Sequence, residues 1–183
     1  MNRIQEAQQL LERAELLFPP EAVQEAVQRM AKDITVHLKD ELPMVLAVMG
    51  GAAVFTGQLL PQLAFPLEFG AIEVTRYNND IRGREINWRL GPRESVRGRT
   101  VLVVDDILDE GITMAAICAR LQEMGARRVK VAVFADKQIG KTRPIEADFV
   151  GVKVPNRYVF GFGMDAYGLW RNLPAIYVLK EPH

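Results

Sequence analysis

The sequence predicts an α/β fold: a mainly parallel, twisted sheet with helices on both faces, plus a small hood built from the C-terminal segment with N-terminal residues. Two apolar runs, 44–49 (MVLAVM) and 101–104 (VLVV), do not alternate with polar residues, which implies strands buried on both faces. Each is followed by a turn with glycine and then by apolar residues at helical spacing, the pattern of a strand–helix–strand unit. No Gly-, Ser- or Pro-rich linker, repeat or low-complexity tract divides the 183 residues. One domain is expected, with its core over about 20–152 and the hood over about 153–183.

Taken in order, Ile4, Leu10, Leu11, Ala14 and Leu17 share one helical face that ends at Pro19-Pro20. A second helix over about 21–39 puts Val23, Val27, Met30, Ile34 and Leu38 on one stripe. Both stripes suit packing or subunit contact. The strand 44–49 leads through Gly50-Gly51-Ala52-Ala53 into a helix reaching Leu60. The stretches 67–75 and 84–90 alternate apolar and polar residues, and the polar connection RYNNDIRGR joins them. A phase slip near Gly70 predicts a bulge there, and Gly91-Pro92 a closing turn.

The strand 101–104 then runs into acids, a glycine and a threonine, VLVVDDILDEGIT, before a helix that stops at Gly125. A loop opening a helix at the carboxyl edge of a parallel strand aims backbone N–H groups and a positive dipole end at one point, which suits phosphate. Asp105, Asp106 and Asp109 add acceptors for hydroxyls, Mg²⁺ or a proton. Residues 128–135 form another buried strand ending in Asp136-Lys137, and 148–152 the last strand of the main sheet. From position alone Lys137 reads as a solvated loop lysine. The remainder, VPNRYVFGFGMDAYGLWRNLPAIYVL, is too interrupted by glycine for one helix and reads as short strands and turns over the sheet.

Composition narrows the function. Twenty-three basic and 23 acidic residues balance, so the overall field gives no sign of nucleic acid or an anionic membrane. No apolar run has the length of a membrane span, and the acidic, amphipathic N-terminus is unlike a signal peptide. The lone Cys118 fits a buried mid-helix position, and His37 and His183 leave histidine catalysis and a zinc site unsupported.

Four apolar positions, Asp-Asp, two apolar positions and Asp-x-Gly-x-Thr together resemble the phosphoribosyl pyrophosphate (PRPP) motif of the type I phosphoribosyltransferases. MVLAVMGGAAVFTGQLL is similar to the pyrophosphate loop of the hypoxanthine-guanine members, in which a basic residue commonly stands where Gly50 is and the preceding peptide bond is often cis. The resemblance covers roughly 20–179 and implies the type I phosphoribosyltransferase fold. It implies a Mg²⁺-dependent transfer of phosphoribose from PRPP to N9 of a 6-oxopurine, hypoxanthine or guanine. The partners would be PRPP and the base rather than membrane or nucleic acid, in a cytoplasmic homodimer or homotetramer.

Residue by residue, it implies that Asp105 and Asp106 bind the ribose hydroxyls. The 5-phosphate would lie on Asp109, Glu110, Gly111, Ile112 and Thr113, although Glu110 replaces the usual threonine. Asp109 would accept the N7 proton or simply orient the base. Gly50, Gly51 and Arg171 would meet pyrophosphate. Arg76-Tyr77 would belong to a mobile loop that excludes water, which from sequence alone is equally an exposed hairpin tip. Lys137 would donate to the purine O6, Tyr158 would stack on the ring, and Val159 would offer main-chain atoms. Asp165, with Asp105 as a second candidate, would stand near the metal. A transferase for another base such as xanthine, a PRPP-binding regulator and an inactive scaffold are the alternative readings.

Overall fold

The computed structural model describes residues 2–76 and 86–180. A six-stranded sheet has the order β4-β3-β2-β5-β6-β7, built from β2 (Met44–Met49), β3 (Glu68–Arg76), β4 (Ile86–Leu90), β5 (Thr100–Leu108), β6 (Arg128–Gln138) and β7 (Phe149–Pro155). All neighbours pair in parallel except the β3–β4 edge. A second, three-stranded antiparallel sheet of order β1-β9-β8 forms the hood, from β1 (Ala14–Phe18), β8 (Val159–Phe160) and β9 (Ile176–Leu179). The N-terminal residues therefore do contribute to it.

Alternate residues of the central strands serve opposite faces. Leu102 and Val104 join the core beneath α2 (Pro20–Leu38) and α3 (Ala52–Leu59), where Val23, Val27, Met30, Ile34 and Leu38 are buried. Val101 and Val103 join the opposite core with Ile117 and Leu121 of α4 (Ile112–Glu123). The stripe on α2 is thus core packing. Cys118 is buried there too, which lifts its thiol to about 12. Among the described residues no helix is long and apolar enough to cross a membrane.

Several boundaries differ from the sequence reading. The first helix, α1 (Arg3–Glu12), ends before Ala14, and Ala14 and Leu17 lie on β1, paired with β9. No residue of α1 is buried. Helical spacing was maintained by chance across that junction, and the edge of the hood supplied a strand partner that local spacing does not encode. The bulge falls between Glu73 and Val74, opposite β4, rather than near Gly70, whose pairing with Leu46 is regular. β5 and β6 run on past the apolar stretches to Leu108 and Gln138, so Asp105, Asp106 and Lys137 are strand residues. Tyr77 and the start of the expected 84–90 strand lie outside the described residues.

This topology positions the site. From β2 the chain crosses to β3 on one side, and from β5 to β6 on the other, making β2/β5 the switch point where a doubly wound sheet opens a ligand crevice. Pairing between these strands stops at Ala47–Val104, while β5 continues to pair with β6 as far as Leu108–Asp136. The crevice is therefore walled by Asp105 and Asp106 on one side and by the turn after β2 on the other.

The hood is anchored over it by Phe162, fully buried against Phe134 of β6 at a ring separation of 4.5 Å. Phe162→Ala should destabilise the fold by about 3–5 kcal/mol, measured by urea unfolding, and should loosen the hood before the main sheet in hydrogen exchange.

Candidate active site

The first wall is the β2–α3 turn. The Met49–Gly50 peptide bond is cis, and α3 begins immediately after Gly51. A Cβ on Gly50 would meet nothing within 4 Å, whereas one on Gly51 would lie 2.1 Å from Asp106 Oδ2. Gly51 is therefore required by the close approach of Asp106, and Gly50 faces open space of the kind a side chain could fill.

The second wall is the end of β5. The Asp106 N–H donates to Asp105 Oδ1 at 2.9 Å, and the Ile107 N–H to Asp106 Oδ1 at 2.8 Å. Both carboxyls titrate above the ordinary aspartate range. Burial is the main cause for each, and for Asp105 the neighbouring charge of Asp106 adds to it. Gly111 follows with φ +76, a left-handed N-cap of α4 that glycine adopts without steric cost. Its Cβ position lies 3.3 Å from Ile145 Cγ2, so segment 143–145 forms the floor of the loop. Glu110 is exposed, Ile112 sits 37 % exposed at the first helical position, and Thr113 follows it in the first turn of α4.

The third wall is the hood. Gly163, at φ +105, packs so closely that a Cβ would stand 2.2 Å from the Gly51 carbonyl oxygen. Arg171 donates to the Gly163 carbonyl at 2.6 Å, pairs with Asp165 at 2.7 Å and lies 3.9 Å from Asp106 Oδ2. The Gly168 N–H holds the other Asp165 oxygen at 2.7 Å. Phe162, Tyr167 and Trp170 all have positive φ, an uncommon concentration of left-handed non-glycine residues in one segment. The Trp170 indole donates to the Ala7 carbonyl, tying α1 to this segment.

Between the walls is a cleft of about 180 Å³ lined by Asp106, Ile107, Asp109, Lys137, Tyr158, Val159, Met164 and Asp165. Lys137 Nζ donates to Asp109 Oδ2 at 2.7 Å, so the loop lysine of the sequence reading is an ion-paired cleft residue. Tyr158 presents an exposed ring stacked on Tyr167, 5.6 Å between centroids. Val159 is buried in the core and also borders the cleft.

The fold thus brings together Asp105, Asp106, Asp109, Gly51, Lys137, Tyr158, Val159, Asp165 and Arg171. Arg76 is the last residue of β3, and Tyr77 lies outside the described residues. Sequence reasoning missed Gly163, whose signal was only a glycine in a glycine-rich stretch. It also missed Asp136 and Arg143 behind Lys137; an acid directly before Lys137 was visible, but nothing marked the arginine.

A helix start with converging N–H groups, two acids at a sheet switch point and a covering hood have the form of a sugar-phosphate site in an α/β protein. The chain belongs to the phosphoribosyltransferase family: the phosphoribosyl transferase domain matches residues 17–167. It is similar to the hypoxanthine-guanine phosphoribosyltransferase of Bacillus subtilis (strain 168), 32% identical over 166 residues, covering 90% of this chain and 92% of that protein. It is 34% identical over 167 residues to the hypoxanthine-guanine-xanthine phosphoribosyltransferase of Tritrichomonas foetus, covering 91% of each. Its fold superposes on a hypoxanthine phosphoribosyltransferase from Staphylococcus aureus with a TM-score of 0.87 at 26% identity, covering 98% of this chain and 96% of that one. The Trypanosoma cruzi hypoxanthine phosphoribosyltransferase in complex with the product IMP gives 0.84 at 29% identity, covering 92% and 96%. These relatives place the chain with the hypoxanthine-guanine members of the family.

Two outcomes test the geometry. Gly51→Ala should weaken PRPP binding, measured by calorimetry, by about 10-fold or more, because its methyl displaces Asp106, while Gly50→Ala should bind within a few-fold of wild type. Asp105→Asn should raise the melting temperature of the ligand-free protein at pH 7. A carboxyl whose folded value is raised loses stability as pH climbs from the unfolded value of 3.8 to the folded one. The gain from Asp105→Asn should therefore shrink as pH approaches 4.

Proposed function

We propose that the protein is a purine-salvage enzyme that transfers the 5-phosphoribosyl group of PRPP to N9 of hypoxanthine or guanine, releasing pyrophosphate and IMP or GMP. The observation that carries this reading is the Lys137–Asp109 pair, which shares one cleft with the Tyr158 ring directly beside the phosphate loop.

The 5-phosphate lies on the loop 109–113, where N–H groups at the start of α4 and its dipole meet the negative charge. Asp105 and Asp106 accept from the ribose hydroxyls. The N–H groups of Gly50 and Gly51, with Arg171, receive the leaving pyrophosphate, and Arg171 exchanges its carboxylate partners for phosphate oxygens. Gly50 supplies no cation, whereas Arg171 brings a positive side chain to within 3.9 Å of Asp106.

An ammonium only donates, so Lys137 matches the O6 acceptor of hypoxanthine or guanine and opposes the amino group of adenine. Tyr158 stacks on the base and the Val159 main chain meets its edge. Moving Lys137 onto O6 releases Asp109 to accept the proton at N7 as N9 attacks C1 of the ribose.

Among the described residues no group of three or more His, Cys, Asp or Glu side chains assembles to hold a metal. Mg²⁺ characteristically uses one or two carboxylates together with substrate phosphates and water, so Asp165 and Asp105 fit an ion that arrives with PRPP rather than a resident all-protein site. When bound, Mg²⁺ stabilises the diphosphate as a leaving group. PRPP is a highly charged metabolite that does not cross membranes unaided, so we place the reaction in the cytoplasm. We take the assembly to be a homodimer or homotetramer, whose mass light scattering reads directly.

With Mg²⁺ and PRPP, hypoxanthine and guanine should release pyrophosphate and adenine little. Absence of release with every base, in protein that still binds PRPP, would instead support a regulator or an inactive scaffold. Asp109→Asn should lower kcat by about 10²–10⁴-fold while leaving PRPP affinity within a few-fold; unchanged turnover would remove Asp109 from the proton transfer.

A further inference from the structure

We propose that Arg143 is a positioning residue for base selection, holding the backbone of Lys137 so that its ammonium stands at Asp109. The inference rests on the proposed role of Lys137. Arg143 lies in the connection between β6 and β7, and its side chain is only 6% exposed, paired with the 12% exposed carboxylate of Asp136. Its two terminal nitrogens divide their work: Nη1 donates to Asp136 Oδ1 and Nη2 to the carbonyl oxygen of Lys137. Gln138 closes the remaining Asp136 oxygen with a 2.8 Å hydrogen bond. Two consecutive residues at the end of β6 are thereby fixed by one planar guanidinium, which a lysine ammonium cannot replicate with the same directional fork.

The same residue reaches the other half of the site through a different atom. Its Cβ lies 3.6 Å from the Cβ position of Gly111, beside Ile145, in the floor of the phosphate loop. The fork therefore serves the base side and the Cβ serves the phosphate side, so a substitution can separate them. Arg143→Lys keeps the Cβ and the charge opposite Asp136, and loses the paired donation to the Lys137 carbonyl.

The test compares wild type, Lys137→Ala and Arg143→Lys in three readouts: KM for hypoxanthine, the ratio of kcat/KM for hypoxanthine over adenine, and PRPP affinity by calorimetry. Lys137→Ala should raise the KM and narrow the ratio. Arg143→Lys should do the same, with a KM increase of about 10-fold, while PRPP affinity stays within about twofold. If Lys137→Ala changes neither base readout, the reading of Lys137 falls and this inference with it. If Lys137→Ala acts and Arg143→Lys leaves both base readouts unchanged, the inference alone is overturned. Parallel losses of PRPP affinity, base KM and melting temperature in Arg143→Lys would assign Arg143 to general support and overturn it equally. Should Arg143→Lys fail to fold, Gln138→Ala, at an exposed position, should shift the base readouts in the same direction by less, and no shift would overturn the proposal.

Discussion

The site depends on one close approach: Asp106, at the end of β5, is packed between the β2–α3 turn and the hood. Gly51 is small because the Asp106 carboxylate occupies the place of its Cβ, and Gly163 is small because the Gly51 carbonyl occupies the place of its own. Three segments far apart in sequence meet here through backbone and one side chain, with no space for a methyl at either glycine. An acid buried at such a junction is costly, which accounts for the raised titration of the Asp105–Asp106 pair. The stability given up there is what keeps two oxygen acceptors at the switch point of the sheet.

Around that junction the two cations are paired: Lys137 with Asp109 and Arg171 with Asp165, so both side chains are held in place by partners within the protein. The ammonium of Lys137 only donates, so any group that takes the place of the Asp109 carboxylate must be an acceptor. The short hood strands and the left-handed residues at 162, 167 and 170 carry Asp165 to the cleft and Arg171 to within 3.9 Å of Asp106.

Much of this was legible along the chain. Buried parallel strands announce themselves as unalternated apolar runs, so β2 and the first half of β5 were visible, as was α2 from its apolar stripe. The acids, Gly111 and Thr113 lie within nine residues of one another, across the end of β5 and the start of α4, so their common location follows from connectivity alone. What escaped local reading had nonlocal causes. Ala14 and Leu17 continue a helical stripe but lie on a strand, because β9, more than 150 residues later, supplies the hydrogen-bonding edge. The bulge opposite β4 depends on how two strands are paired, which a phase count along one of them does not contain. Nothing local marked Arg143, because its partners, Asp136 and the Lys137 carbonyl, are defined by the return of the chain beneath the 109–113 loop.

Fold class and the strand–turn–helix segment that carries Asp105 to Thr113 were readable residue by residue, since periodicity and short contiguous motifs are properties of a linear chain. Tertiary structure decided which of those residues share a cleft: that Lys137 faces Asp109, that Arg171 reaches both Asp165 and the neighbourhood of Asp106, and that Gly51 rather than Gly50 is the glycine the site requires. Distances between segments are set by sheet order and close packing, and these arise only when the strands have found their neighbours.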